Sequence, residues 1–513
     1  MGGKYLSKTL YKIIPILLIA MLLCGCISGG DGDSTPEPTT AAPTTAAPTQ
    51  APTTSAPTTT AAPTTAAPTT AAPTEPPKPS EMEDAWTMIY KDANATNYSI
   101  NTLPQTPQLK WYRNGVFLGP SLIEYGYVYV PVRKLDDAQG DRMACLDLED
   151  GSLVWESSID YNRNEDCADM VYYRSPAISD EKVVFLSCGN SSILQCFDAF
   201  DGTQLWETTV DVNYRIYLSP VISDGKVYVM YTNSTCHGDL IHEYTEFADL
   251  NNGRIACYDL DSGNMLWEET MSLALYGNPI IYDGKVYFGA VNGATAKGYL
   301  VCLDANDGEM LWMSDLLAAD RGLYNVDEPI WRIAYGHNNI YVTLFDYEID
   351  WEFFGYCSIA SYDPATGARR WEFRTESGSF FGDHLTLSEE YVYFGVRWNT
   401  LGDPDATYIY KLDPTNGAML RRSEIPDFFM NFMTGSGGNV LYLGFYNSAY
   451  NAAAQRWESS NDLYGINGNS GVQSWFFTDS PDYSDFVLYD GIYPSVADGH
   501  LVVPIGFRLY CFN

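Results

Sequence analysis

Arg174, Arg332, Asp383 and His384 each stand at the start of a short apolar, strand-forming segment, and aligning those segments places the four in one ring with Ser175, Asn278, Trp331 and Tyr493. Two guanidinium groups held in such a ring can grip a carboxylate, or the acid group of a glycan, bidentately. The same residues can instead neutralise one another as an internal Arg-Asp network, and the sequence leaves both readings open. Cys236-His237-Gly238-Asp239, with His242 and Glu243, gathers metal-ligand side chains in one loop. That cluster has no second half elsewhere, so no metal site is assigned. The chain contains no H-E-x-x-H, G-x-S-x-G or phosphate-loop phrase, and no catalytic residue is assigned.

What must position the ring is a repeated strand-turn-strand phrase. Asp259/Gly263/Trp267 shows it clearly, with each residue four after the last, and it returns as Asp147/Gly151/Trp155, Asp198/Gly202/Trp206, Asp304/Gly308/Trp312 and Asp363/Gly367/Trp371. Two copies are worn: Asp413/Gly417 ends in Arg421, and Asn467/Gly471/Trp475 has Asn for Asp. The spacing of roughly 45 to 60 residues is that of four-stranded blades, not helical solenoids. Upstream of each phrase lies a second hairpin, clearest at Asp224-Gly225 and Asp283-Gly284 and degraded at Asp180-Glu181, His337-Asn338, Glu389-Glu390 and Asp498-Gly499. Each unit therefore has four strands, A to D. The Asp, Gly and Trp are scaffold: a turn acceptor, a left-handed turn residue and a wedge between neighbours.

The chain stops after Leu509 to Asn513 with no D strand, and an orphan Trp strand, Leu109 to Tyr112, precedes the first unit. Pairing the two leaves no open edge between the termini. The expected fold is all-β, an eight-bladed propeller of four-stranded antiparallel blades whose last blade is closed by the N-terminal strand. The phrase A-x-D-x-x-x-G-x-x-x-W after P-x-x-D-G-x-V-Y-V resembles the PQQ-like repeat family over Trp86 to Asn513. That family includes quinoprotein alcohol dehydrogenases and non-catalytic BamB-type assembly lipoproteins. The dehydrogenases bear an adjacent Cys pair, a carboxylate base and a calcium site, and no two cysteines are adjacent here. PQQ is accordingly not expected as a cofactor.

Residues 1–25 read as a lipoprotein signal peptide: Lys4, Lys8 and Lys12, an apolar run from Ile13 to Leu23, then Leu23-Cys24-Gly25-Cys26, which resembles a lipobox with Cys26 as the lipidated thiol. Residues 26–80 form a Thr/Pro/Ala-rich disordered stalk that resembles an O-glycosylated spacer, and residues 81–513 the propeller. Sequons at Asn94, Asn97, Asn190 and Asn233 fit an archaeal-type surface glycoprotein. A net charge of −36 excludes a nucleic-acid surface. The lipid anchor is then the expected membrane contact, and a monomer the expected state. Cys145, Cys196, Cys257, Cys302 and Cys511 share one small apolar C-strand position, whereas Cys167 and Cys188 are placed to form a disulfide.

The D-to-A and B-to-C connections share one face, and nearly all the length variation lies there, in Lys134 to Arg142, Thr232 to Arg254, Val291 to Lys297, Phe345 to Tyr356, Trp398 to Thr407 and Tyr446 to Asp462. Variable loops on a rigid ring are where binding is placed. Their aromatics and acids, such as Trp351, Phe353, Asp350 and Glu352, suit sugar faces or a cationic protein. The leading expectation is a non-enzymatic, surface-anchored scaffold binding an envelope protein or polysaccharide. The alternative is an extracellular enzyme, either a PQQ-dependent dehydrogenase or a sugar-active hydrolase or lyase.

Overall fold

The computed structural model describes residues 79–513 except 105, 135–139, 160–174, 188–191, 212–218, 233–251, 293–296, 317–329, 348–354, 377–378, 399–405, 426–429, 452–455 and 480–492. Cys26, Cys167, Cys188, Arg174 and the Cys236 to Glu243 cluster lie outside the described residues.

Eight antiparallel blades make the ring. From blade 1 to blade 8 the innermost A strands are Leu122–Glu124, Ala177–Ser179, Val221–Ser223, Ala274–Tyr282, Ile330–Gly336, Ser379–Leu387, Met430–Gly437 and Ser495–Ala497. The A-to-B turns are built as expected: both residues of Asp224-Gly225 and of Asp283-Gly284 have positive φ, and so do Asp180-Glu181 and His337-Asn338, where no glycine helps. Glu389-Glu390 differs. Neither residue has positive φ, and the turn is held by Ser388, whose Oγ accepts the Tyr391 N–H at 3.0 Å.

Closure occurs where the sequence places it. Leu109–Asn114 pairs antiparallel with Arg508–Phe512, with Trp111 opposite Cys511 and Tyr112 opposite Tyr510. The Trp phrase docks each blade on the next. The indole N–H groups of Trp111, Trp155, Trp206, Trp267 and Trp371 donate to the carbonyls of Leu148, Ala199, Leu260, Ala305 and Pro414, each one residue past the motif Asp of the following blade. The motif glycine lies under the ring: at Gly151, φ is +70° and a Cβ would sit 2.7 Å from Trp111. In the worn copy Arg421 stands in for the indole, its guanidinium 3.5 Å from the Asn469 carbonyl.

One expectation on the loop face is corrected. Most of Tyr446 to Asp462 is not a loop but an extension of blade 7, whose strands Val440–Asn451 and Arg456–Asn467 remain paired out to Asn451 and Arg456. Tyr446 pairs with Asn461, Ser448 with Ser459 and Tyr450 with Trp457, a ladder that the length variation concealed.

Candidate functional site

The channel wall is formed by the A strands, and it is not uniform. In blades 1, 2, 3 and 8 the strand that runs into the A-to-B turn has three residues, and in blades 4 to 7 it has seven to nine. Each long strand breaks register at the position aligned from sequence: between Tyr276 and Ile280, Ile330 and Arg332, Phe380 and His384, and Met430 and Phe432. Such bulges bend the strand and re-aim side chains, and they are enriched near binding sites. Four consecutive blades therefore carry a bulge at the ring that holds Asn278, Trp331, Arg332, Asp383 and His384.

The individual residues fare differently. Arg332 is 4% exposed, and its guanidinium stacks on the Tyr90 ring with 3.6 Å to the centroid, a geometry that stabilises a desolvated cation. Asn278 and Ser175 are buried. Ser175 joins blade to blade, its N–H donating to Ser219 Oγ at 2.9 Å. Ser495 Oγ donates to the Ser121 carbonyl at 2.7 Å, linking blades 8 and 1 in the same way. Tyr493 is half-buried. Trp331, Asp383 and His384 lie on their strands, but their side chains lie outside the described ones.

The partner of Arg332 belongs to a segment that the repeat alignment missed. Residues 84–103 precede the first blade and lie against the turn-proximal ends of the A strands, opposite the variable loops. Trp86 is fully buried and exchanges hydrogen bonds of 2.8 Å in both directions with Ile123. The available signal is the dense apolar run Trp86, Met88, Ile89, Tyr90 shortly after the Thr/Pro/Ala-rich stretch.

Among the described residues, no three metal-ligating side chains converge. Six described cysteines are buried, each in a different blade. Burial pushes the thiols of Cys196, Cys257, Cys302 and Cys511 up to about 12, so they pack as small apolar groups and are not nucleophiles.

Residues 111–241 and 251–330 match the family described as outer membrane protein assembly factor BamB. No curated protein matches the sequence. Among solved structures, the quinohemoprotein alcohol dehydrogenase from Pseudomonas putida HK5 is similar at 12% identity and a TM-score of 0.56, over 84% of this chain and 80% of that one. The corresponding enzyme from Comamonas testosteroni gives 13%, 0.55, 84% and 80%. BamB from Moraxella catarrhalis gives 14% and 0.50, over 80% of this chain and all of that one. At these identities the likeness shows the fold alone, an eight-bladed propeller.

Proposed function

We propose that this PQQ-like-repeat propeller is a non-enzymatic scaffold, tethered to the cell surface through Cys26 and its stalk, that binds an envelope protein or polysaccharide through its loop face. The observation that carries this reading is the asymmetry of the two faces. One is built of short turns repeated from blade to blade, and residues 84–103 lie across its centre. The other carries the long connections, the four bulged A strands and the extended hairpin of blade 7.

The path of the chain supports the same face. The chain reaches the ring at Met82, whose N–H donates to Glu124 Oε1 at 2.8 Å beside the A-to-B turn of blade 1. The chain therefore enters the ring on its short-turn face. The acidic balance of 65 Asp and Glu against 29 Lys and Arg favours a cationic protein or a neutral glycan over an anionic surface. Arg332 is the described channel cation and is already stacked on Tyr90, so it serves the wall, with Asn278 beside it on the neighbouring blade.

The test is a glycan array together with a pull-down from the envelope fraction, run beside a titration with PQQ and calcium. The reading expects a saturable glycan or envelope ligand and no quinone absorbance or rise in Tm. A cofactor absorbance with a raised Tm would replace it with the dehydrogenase. Silence on array and pull-down would remove its support.

A further inference from the structure

We infer that residues 84–103 are a built-in stopper that closes the channel at the short-turn face and fastens the stalk to the whole ring rather than to one blade. The contacts are mostly main-chain. Carbonyls of Trp86, Thr87, Ala93, Asn94, Thr96 and Asn97 accept the N–H groups of Ile123, Ile178, Ile281, Tyr335, Leu387 and Gly435 at 2.8 to 3.0 Å, in blades 1, 2, 4, 5, 6 and 7. Met88 joins the apolar cluster that contains Val221 and Ile222 of blade 3. Leu103 joins the one that contains Val496 and Leu501 of blade 8. Near its end the segment runs as a short parallel strand, Tyr98–Thr102, along Met430–Gly437.

Its folding makes it a plug rather than a draped strand. Met88 and Lys91 exchange hydrogen bonds of 3.2 and 2.9 Å, closing a first tight turn. The Asp92 carboxylate closes a second by accepting from the Asn94 N–H at 3.1 Å, the Thr96 N–H at 3.2 Å and the Thr96 hydroxyl at 2.7 Å. After one circuit the ends meet on Asp84. This buried carboxylate accepts from the Ser99 hydroxyl and from the Asn101 N–H at 3.0 Å, and pairs with Lys91 at 2.9 Å. Asn97, fully buried, spans blades 6 and 7 by donating to the Leu385 and Met433 carbonyls.

Two consequences follow. A ligand of the channel must come and go through the loop face, because the opposite end is filled by Trp86, Met88, Ile89 and Tyr98, all under 9% exposed. A pull on the stalk meets the Met82–Glu124 contact, the Asp84 clasp and the Trp86–Ile123 pair first, and spreads from there around the ring.

The stopper can be tested in the full chain by inserting a protease site between Pro104 and Thr106, which are exposed, and nicking the folded protein. The nicked N-terminal fragment should co-elute with the ring on native size exclusion. The variants Asp84→Ala and Trp86→Ala should release it about tenfold faster or more. In the intact chain the six A-strand amides named above should be protected from hydrogen exchange, and they should lose that protection when the fragment leaves while the Val128 amide in the blade 1 B strand does not. A fragment that elutes alone from a folded ring overturns the inference. So does a ring that unfolds on nicking, or six amides that exchange freely before nicking.

Discussion

Replacing Trp111 with Ala attacks the seam where the last blade is completed by the N-terminal strand and meets blade 1. Trp111 is 9% exposed, its Nε1–H donates to the Leu148 carbonyl at 2.9 Å, and its ring covers Gly151. Truncating a buried Trp costs about 3–5 kcal/mol, the cavity included. The orphaned Leu148 carbonyl places the expectation in the upper half of that range. Leu109, two residues away on the same strand, is 48% exposed, and Leu109→Ala should fall within about 0.5 kcal/mol of the parent. Guanidinium unfolding of both variants, with the slope compared to exclude a changed denatured state, measures the difference. Equal small losses for the two would refute the idea that the indole locks blade 8 onto blade 1. Gly151→Ala, placing a methyl 2.7 Å from the same ring at a positive φ, should reproduce much of the Trp111→Ala defect.

The seam is also sensitive to acid. His500 Nδ1 faces the Asp498 carbonyl and Nε2 faces Lys110 Nζ, both at 2.8 Å, which requires the neutral ring with its proton on Nδ1. Burial, with Lys110 beside it, pushes the imidazole below its usual 6.5. Below about pH 6.5 the unfolded chain therefore takes up a proton that the folded chain refuses. Stability should fall by at most about 1.4 kcal/mol per pH unit until the folded value is passed. His500→Gln should flatten the part of the curve due to this residue, and an unchanged curve would contradict the assignment. Asn97 should carry no glycan in protein from a glycosylating host, because its amide is buried against blades 6 and 7; an occupied Asn97 in the glycopeptide map would refute that placement. The six buried thiols should stay unreactive to a disulfide reagent until the ring unfolds. Modification of any of them in native buffer would refute their burial.

The repeat was legible because a propeller writes its architecture in side chains. Asp147, Gly151 and Trp155 serve a turn and a blade interface, and each function demands a residue type at a fixed offset. Closure could be read for the same reason, since Trp111 without an upstream C strand and Cys511 without a downstream D strand fit each other. The stopper left almost no such mark, because carbonyls such as those of Thr87 and Asn94 bond the ring whatever side chain follows. The channel ring is intermediate. Aligning A strands groups Asn278 with Arg332, and the structure has both on A strands at bulges that alignment does not register. It could not reveal that Arg332 turns to Tyr90, a residue outside every repeat. The hairpin of blade 7 reads as a loop in the sequence because insertion length, not ladder pairing, is what a repeat alignment exposes.

The central claim is that the loop face is the binding face. It is tested most directly by hydrogen-exchange footprinting of the full chain with the ligand retained on the array or in the envelope pull-down. The account predicts new protection in the connections at 345–356 and 398–407 and at the outer end of the blade 7 hairpin, with the short A-to-B turns around Asp224-Gly225 and Asp283-Gly284 unchanged. Protection confined to those turns, with the loop face unaltered, would contradict it.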